Sequence, residues 1–323
     1  MAIEKTSFEP GETIADRYEV ESILGQGGMG VVYLVQDNLT SQRLALKTLL
    51  PQYIDRDRVV HRFVREVKTL RRLNHPSIVR IYDAQRYGSL LFYTMDYIDG
   101  RSLRDWIRRR GRLKLGSTVR VLALVAHALE YAHQYTIHRD ISPDNIMVLP
   151  DGSVRLLDFG LAKLLDSEAK FTMVGVTLGK KQYNSPEMLA SAAEVDHRAD
   201  IYSLGVIFHE MLSGTLPQTS VKLSELVPEL PKECDEFVAK ATAHLREDRF
   251  ANAREFRTAL MKLYEHAHTQ QHDFAVQAAT PAPGPYSTPT PQPTPTSASN
   301  HGVQPIWQKL RAWFQAVFSH REH

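Results

Sequence analysis

Between His138 and Gly160 one tight turn constrains where two chemically useful side chains lie. Asp151-Gly152 sits between two short apolar runs, Ile146 to Leu149 and Val154 to Leu157. Asp-Gly in that setting is a two-residue β-hairpin signal. In the register this implies, Asn145 lies directly opposite Asp158, with Cβ atoms about 5 Å apart. An amide oxygen and a carboxylate presented together can serve one hard cation, and magnesium suits them because it takes few protein oxygens and completes its shell with phosphate and water. Five residues before Asn145, in a loop that follows a long helical pattern, comes Asp140 in His138-Arg139-Asp140-Ile141-Ser142-Pro143-Asp144-Asn145. Taken singly, these acids and amides are also what ordinary turns use as caps.

The rest of the chain supplies two differently patterned halves. Glu19 to Leu24, Val31 to Gln36 and Leu44 to Leu49 are short alternating or β-branched runs, followed by two more around Val79 to Tyr82 and Leu90 to Met95. One helical pattern interrupts them: Val60, Phe63, Val64, Val67, Leu70 and Leu73 recur at helical spacing. From Ser102 onward helices dominate, notably Val119, Leu122, Val125, Ala126, Leu129 and Ala132 on one face, then Ile201 to Leu212 and Ala253 to Tyr264. The expected class is α+β, with a small β-rich lobe before a larger helical one. After His266 the composition changes. Residues 281–295 hold seven of the chain's 17 prolines, too little apolar content to fold.

Composition narrows the classes. With 323 residues and 43% apolar content the chain can bury a sizeable core. Its 39 basic and 37 acidic side chains leave a formal charge of +2, so no global field draws it to nucleic acid. Cys234 is the only cysteine, which excludes an intrachain disulfide and fits a reducing compartment. The first residues lack a secretion signal and no stretch is long enough for a membrane span; a cytoplasmic location is expected.

Gly25-Gln26-Gly27-Gly28-Met29-Gly30 fits G-x-G-x-x-G, where missing side chains let backbone N–H groups approach phosphate. A dinucleotide fold needs a helix next, but Val31 to Val35 is a strand run, so the loop is a flap between two strands. Lys47 ends the third strand, and Glu66 on the following helix is its candidate partner. Each alone is also what a solvated surface charge looks like.

Together these motifs, in this order, resemble a protein kinase of the eukaryotic-like Ser/Thr type found in bacteria, over about residues 18–264. The resemblance implies a bilobal kinase fold and ATP-dependent transfer of the γ-phosphoryl group to Ser or Thr hydroxyls of protein substrates. It implies that Gly25, Gly27 and Gly30 cover the phosphates, that Lys47 pairs with Glu66 and touches the α and β phosphates, that Asp140 is the base, and that Asn145 and Asp158 hold magnesium. Val32, Ala45, Met147 and the segment Met95, Asp96, Tyr97 and Ile98 would line the adenine pocket. Ser185-Pro186-Glu187 would be tied down by Glu187 pairing with Arg249, and Asp200 would brace the catalytic loop from a buried helix. Arg139 beside the base suggests activation by phosphate on the following segment, with Thr172 and Thr177 as candidate phosphosites, and trans-autophosphorylation suggests a homodimer.

Two residues depart from the family pattern. Ser142 stands where a lysine usually steadies the γ-phosphate, and Lys180 follows Gly179 where a threonine is usual. Lys180 is the candidate to bring back the missing charge; a weak or inactive, nucleotide-binding scaffold is the other outcome of the same departures. Residues 101–120 carry eight Arg or Lys against the single acid Asp105, a solvated helix end or a dock for an acidic partner. Residues 1–17 are expected to be a tail, 265–302 a linker and 303–319 an amphipathic helix. Ile306, Trp307, Leu310, Trp313, Phe314, Val317 and Phe318 share one face of that helix, suited to a membrane interface, a partner's groove or the domain itself.

Overall fold

Alternation along three strands builds the first half of the molecule. In the computed structural model, which describes residues 7–27, 30–49, 57–88, 90–159, 181–190 and 195–278, β1 (Thr13–Ile14), β2 (Tyr18–Gly27), β3 (Gly30–Asp37) and β4 (Arg43–Leu49) are joined by β5 (Ile81–Tyr87) and β6 (Leu90–Asp96). They form one six-stranded antiparallel sheet of order β1-β2-β3-β4-β6-β5. Side chains alternate across a strand, so Val31, Tyr33 and Val35 of β3, Leu44 and Leu46 of β4, and Leu90 and Phe92 of β6 fall together in one buried cluster with Tyr18 and Val20. The opposite face of the same strands carries Val32, Ala45, Lys47, Tyr93 and Met95. These are the residues that look toward the second half of the molecule.

Helix α1 (Asp57–Leu70) crosses between β4 and β5 and buries Phe63, Val67 and Leu70, the apolar stripe expected from spacing. Beyond β6, a short strand β7 (Arg101–Ser102) leads into α2 (Leu103–Arg110), whose N-terminus is capped by the Ser102 hydroxyl accepting from Asp105 N. Helix α3 (Leu115–Ala132) is apolar on nearly every side, with Val119, Leu122, Val125, Ala126, Leu129 and Ala132 all buried; a helix with so little polar surface must lie inside. After it come the loop through Asp140, the hairpin β8 (Ile146–Val148) and β9 (Val154–Leu156), and the helices α4 (Pro186–Ala190), α5 (Arg198–Ser213), α6 (Leu223–Leu226), α7 (Glu233–Ala241) and α8 (Ala253–Ala278). The expected α+β class and its β-then-α order are both observed.

Helix α5 is the spine of the second half. It buries residues from Ala199 to Leu212 almost without interruption and ends at Gly214, whose φ of 79° is the left-handed C-cap and whose N–H donates to Glu210 O. Cys234 on α7 is fully buried, and burial pushes its thiol up to about 12. Helix α8 runs past Tyr264 to Ala278, further than the linker boundary expected at residue 265. No proline or glycine interrupts residues 253–280, so the helical pattern has no breaker before Pro281. One compact unit covers residues 1–275; of the second, 276–323, the described residues are the end of α8. No helix among the described residues is long and apolar enough to cross a membrane.

The approach of α5 to α7 is set by Gly205: a Cβ there would meet Ala241 Cβ at 2.6 Å and Thr242 Cγ2 at 2.9 Å. Gly205→Leu is therefore expected to lower unfolding stability by about 1–3 kcal/mol through overpacking, read as a drop in the urea midpoint.

Candidate active site

The hairpin that organises the site has a different register from the one its turn sequence suggests. The observed pairs are Ile146 with Leu156, Met147 with Arg155 and Val148 with Val154. Leu149 N donates to Ser153 O and Gly152 N to Leu149 O, so Pro150, Asp151 and Gly152 form a three-residue loop, with Gly152 at φ 78°. That geometry is the type I turn closed by a left-handed residue. The ladder slips by one, and Asn145 faces Leu157, whose N–H donates to Asn145 O at 2.9 Å. Asp158 comes after the ladder, at a positive φ of 49°, which turns its carboxylate out of the ribbon toward the sheet above.

There the carboxylate meets two donors. Lys47 Nζ donates to Asp158 Oδ2 at 2.7 Å and the Tyr93 hydroxyl donates to Oδ1 at 2.9 Å. Lys47 and Tyr93 are direct partners across the β4–β6 ladder, on the face away from the sheet's own core. The expected Lys47–Glu66 pair is not formed: Glu66, half-buried on α1, makes no ion pair or hydrogen bond among the described residues, and Lys47 takes the Asp158 carboxylate instead. Tyr93 is 2% exposed, and burial together with the Asp158 charge raises its pKa well above the usual phenol value. The hydroxyl stays a donor.

Asp140 and Asn145 are held to each other. Asn145 Nδ2 donates to Asp140 O at 2.7 Å and to Asp140 Oδ2 at 2.9 Å. Both donations use the amide nitrogen, so what the Asn145 side chain has to offer a cation is its carbonyl oxygen. The loop carrying them hangs from Asp200 of α5: Oδ2 accepts from His138 N and bonds His133 Nε2, both at 2.9 Å, while Oδ1 accepts from Arg139 N at 2.8 Å. Arg139 has a φ of 63°, a left-handed conformation costing about 1–2 kcal/mol for a non-glycine residue, which the bond to Asp200 helps hold. Burial alone would push the Asp200 carboxyl up, but His133 and the backbone donors hold it below the usual carboxylate range.

His138 transmits this anchorage. Its Nδ1 accepts from Asp140 N at 3.2 Å, so Nε2 carries the hydrogen and donates to Leu157 O at 2.8 Å. Its ring packs on Phe159 with centroids 4.4 Å apart. Complete burial lowers the His138 pKa in spite of the nearby acids, consistent with a neutral tautomer fixed by two hydrogen bonds.

The adenine-pocket candidates divide. Ala45 pairs with Leu34 and Met95, and Val32 pairs with Lys47, placing Val32, Ala45 and Met95 on the cleft face; Met147 sits on β8 opposite Ser102, and Ile98 is half-buried just after β6. The Asp96 side chain does not join them. Its carboxylate accepts from Arg80 N at 3.0 Å and the Tyr82 hydroxyl at 2.6 Å, facing a cavity of about 280 Å³ behind the connection, lined by Asn74, His75, Arg80 and Arg155. Gly25, Gly27 and Gly30 lie at the tip of the β2–β3 ribbon, with Gly27 paired to Gly30.

The supporting pairs are also present. Arg249, with no exposed side-chain surface, holds Glu187 through Nη1–Oε1 at 2.7 Å and Nη2–Oε2 at 2.8 Å. Sequence reasoning missed a second network, in which Arg104 of α2 donates to Glu210 of α5, to the Tyr183 hydroxyl and, at 3.3 Å, to Asp144. Of the basic run at 101–120, Arg104 is thus internal, whereas Arg108, Arg109 and Arg110 are an exposed helix end, favourable against the helix dipole. Ser142 is buried, with its hydroxyl unpartnered among the described residues. Gly28, Gly160, Thr172, Thr177, Lys180 and residues 303–319 lie outside the described residues.

A protein kinase domain model matches residues 18–270. The chain belongs to the protein kinase domain family. Its relatives include the serine/threonine-protein kinase pkn3 of Myxococcus xanthus, 37% identical over 247 residues that are 74% of this chain and 42% of that protein. The serine/threonine-protein kinase PknB of Mycobacterium tuberculosis is 35% identical over 272 residues, 78% of this chain and 43% of the relative. This chain therefore spans less than half the length of these curated relatives. The crystal structure of the M. tuberculosis PknI kinase domain superposes with a TM-score of 0.67 at 33% identity, covering 80% of this chain and all of that one. The kinase domain here is thus of the bacterial Ser/Thr type, with the curled sheet and helical lobe of that fold.

Burial has a pH consequence in this kinase domain. His138 and His209 both have pKa values lowered by burial, so below about pH 6.5 the unfolded chain gains protons that the folded one refuses. Asp200 and Glu187, held low, add a loss at still lower pH, as their carboxylates are protonated. Urea midpoints are expected to be near their maximum above pH 7 and to fall steadily between pH 6.5 and pH 4.

Proposed function

We propose that this domain transfers the γ-phosphoryl group of ATP to serine or threonine hydroxyls of proteins, with magnesium as its cofactor. The observation that carries the proposal is the bonding of the Asn145 amide to the Asp140 carboxylate, which holds a base beside an amide oxygen, with Asp158 following the strand whose Leu157 N–H donates to Asn145 O. The donor set fits magnesium, since Asn145 Oδ1 and Asp158 are hard oxygen ligands too few to satisfy the ion alone, which leaves room for phosphate and water. Among the described residues no cluster of three His, Cys, Asp or Glu side chains competes with it.

In this reading Asp140 accepts the proton of the substrate hydroxyl as that oxygen bonds to the γ-phosphorus and the bond to ADP breaks. The Asn145 amide, donating to Asp140 Oδ2, fixes the carboxylate's orientation for that proton. Lys47 places its ammonium on the nucleotide phosphates, backbone N–H groups of the loop carrying Gly25, Gly27 and Gly30 cover them, and Val32, Ala45, Met95, Ile98 and Met147 enclose the adenine. The bound metal supplies positive charge that neutralises the phosphate oxygens. Because there is little covalent work in phosphoryl transfer, the rate comes from alignment and charge. Ser142 contributes no cation here, and Lys180 is the proposed replacement. We further propose that one copy phosphorylates another at Thr172 or Thr177, and that the aromatic face within 303–319 contacts a membrane surface or a partner's groove.

Purified full-length protein with labelled ATP, magnesium and a generic basic protein is expected to incorporate phosphate, and Asp140→Asn to reduce this by about 10²–10⁴-fold. Nucleotide binding without transfer by the unmodified protein would overturn the proposal in favour of a scaffold.

A further inference from the structure

Strand β6 reads Leu90-Leu91-Phe92-Tyr93-Thr94-Met95-Asp96, and Tyr93 is the residue on its cleft face that bears a hydrogen-bond donor. The hydroxyl lies directly across the ladder from Lys47, and the two side chains close on opposite oxygens of one carboxylate. We propose that Tyr93 is a positioning residue: with Lys47 it clamps Asp158 in a resting arrangement that the magnesium–nucleotide complex has to open, so that Tyr93 sets the magnesium concentration at which nucleotide binds. This rests on the kinase reading given above.

Three observations carry it. Both Asp158 oxygens are engaged, by donors of different kind on one rigid sheet, so the carboxylate cannot swing toward a cation without losing a charge-assisted bond on at least one side. The same clamp occupies the Lys47 ammonium, which is then committed to Asp158 rather than to phosphate, while Glu66 has no partner among the described residues to draw it away. The Tyr93 ring also packs on Phe63 of α1, centroids 6.0 Å apart. Phe63 and Glu66 are three residues apart, hence on one side of the helix, so the contact that seats the tyrosine lies beside the carboxylate expected to recruit the lysine. The clamp and the seating of α1 are therefore mechanically linked. Its release frees two groups at once, one for the cation and one for phosphate.

The test titrates magnesium into full-length protein with trinitrophenyl-ATP, following fluorescence, so no phosphoryl transfer is needed. Tyr93→Phe removes the hydroxyl and keeps the ring against Phe63. Its half-saturating magnesium concentration is expected to be about tenfold lower than that of the unmodified protein, the change that follows from losing one hydrogen bond to a charged group. Tyr82→Phe, which removes the hydroxyl that bonds Asp96, should leave that concentration unchanged. An unchanged or raised concentration for Tyr93→Phe overturns the clamp. If thermal melting shows that Tyr93→Phe is unfolded, Tyr93→Met fills the apolar site without a donor and is read in the same way. Magnesium-dependent binding with no transfer to any protein would sink the kinase reading and leave the clamp standing; transfer with an unshifted titration would sink the clamp alone.

Discussion

The buried carboxylate of Asp200 is the point from which the rest of the site is hung. It lies on α5, the helix most completely enclosed by protein, and it accepts two consecutive backbone N–H groups, those of His138 and Arg139. A main-chain anchor of this kind fixes the path of the loop whichever way the side chains turn, and it holds Arg139 in a conformation it would otherwise avoid. From there the connections run outward in two directions. Asp140 follows directly along the chain, and His138, reaching Leu157 O with its other nitrogen, sets the strand end that precedes Asp158. One buried acid therefore registers the carboxylates of Asp140 and Asp158 against each other, though they are eighteen residues apart in sequence.

The upper sheet contributes the other half of the geometry by simple alternation. Because Leu44, Leu46 and Phe92 go to the sheet's own core, Ala45, Lys47, Tyr93 and Met95 have no choice but to face the cleft. The contact of Lys47 and Tyr93 with Asp158 is thus a junction between the two halves, in which Lys47 and Asp158 are partly exposed and the Tyr93 hydroxyl is buried. The Lys47–Asp158 part of it can be exchanged for other charged partners at small net cost, because a partly exposed ion pair is worth little by itself. A site proposed to take in and release a highly charged nucleotide is well served by it.

Much of this was legible in the residues. The change from period-two to helical patterning near Ser102 marks the division between the halves, and the order of glycine loop, lysine, His138–Asn145 loop and Asp158-Phe159 marks the family. What the sequence could not supply was long-range pairing. The Asp-Gly signal suggested a two-residue turn, but Gly152 adopts a left-handed conformation as the third loop residue, and the single-residue slip moves Asn145 from Asp158 to Leu157. Lys47 could be paired on paper with Glu66 because nothing local announces which of two distant acids will reach it. Tyr93 was hidden in an apolar strand; its importance depends on β6 lying beside β4, and β5 separates them in the order of the chain. The Arg104 network joins α2, α5 and the segment at Tyr183, three places that no local pattern relates. Asp96 shows a smaller version of the same limit: its backbone belongs to the cleft segment, yet the side chain turns to Tyr82.

The burial of Cys234 has a practical side. A lone thiol sealed between helices and with its ionisation pushed up to about 12 is nearly all in the unreactive protonated form at neutral pH, and thiolate is the reactive species. Maleimide dyes or spin labels attached to cysteines introduced elsewhere would then report on chosen positions without background from the native side chain, which makes this chain convenient for site-specific labelling.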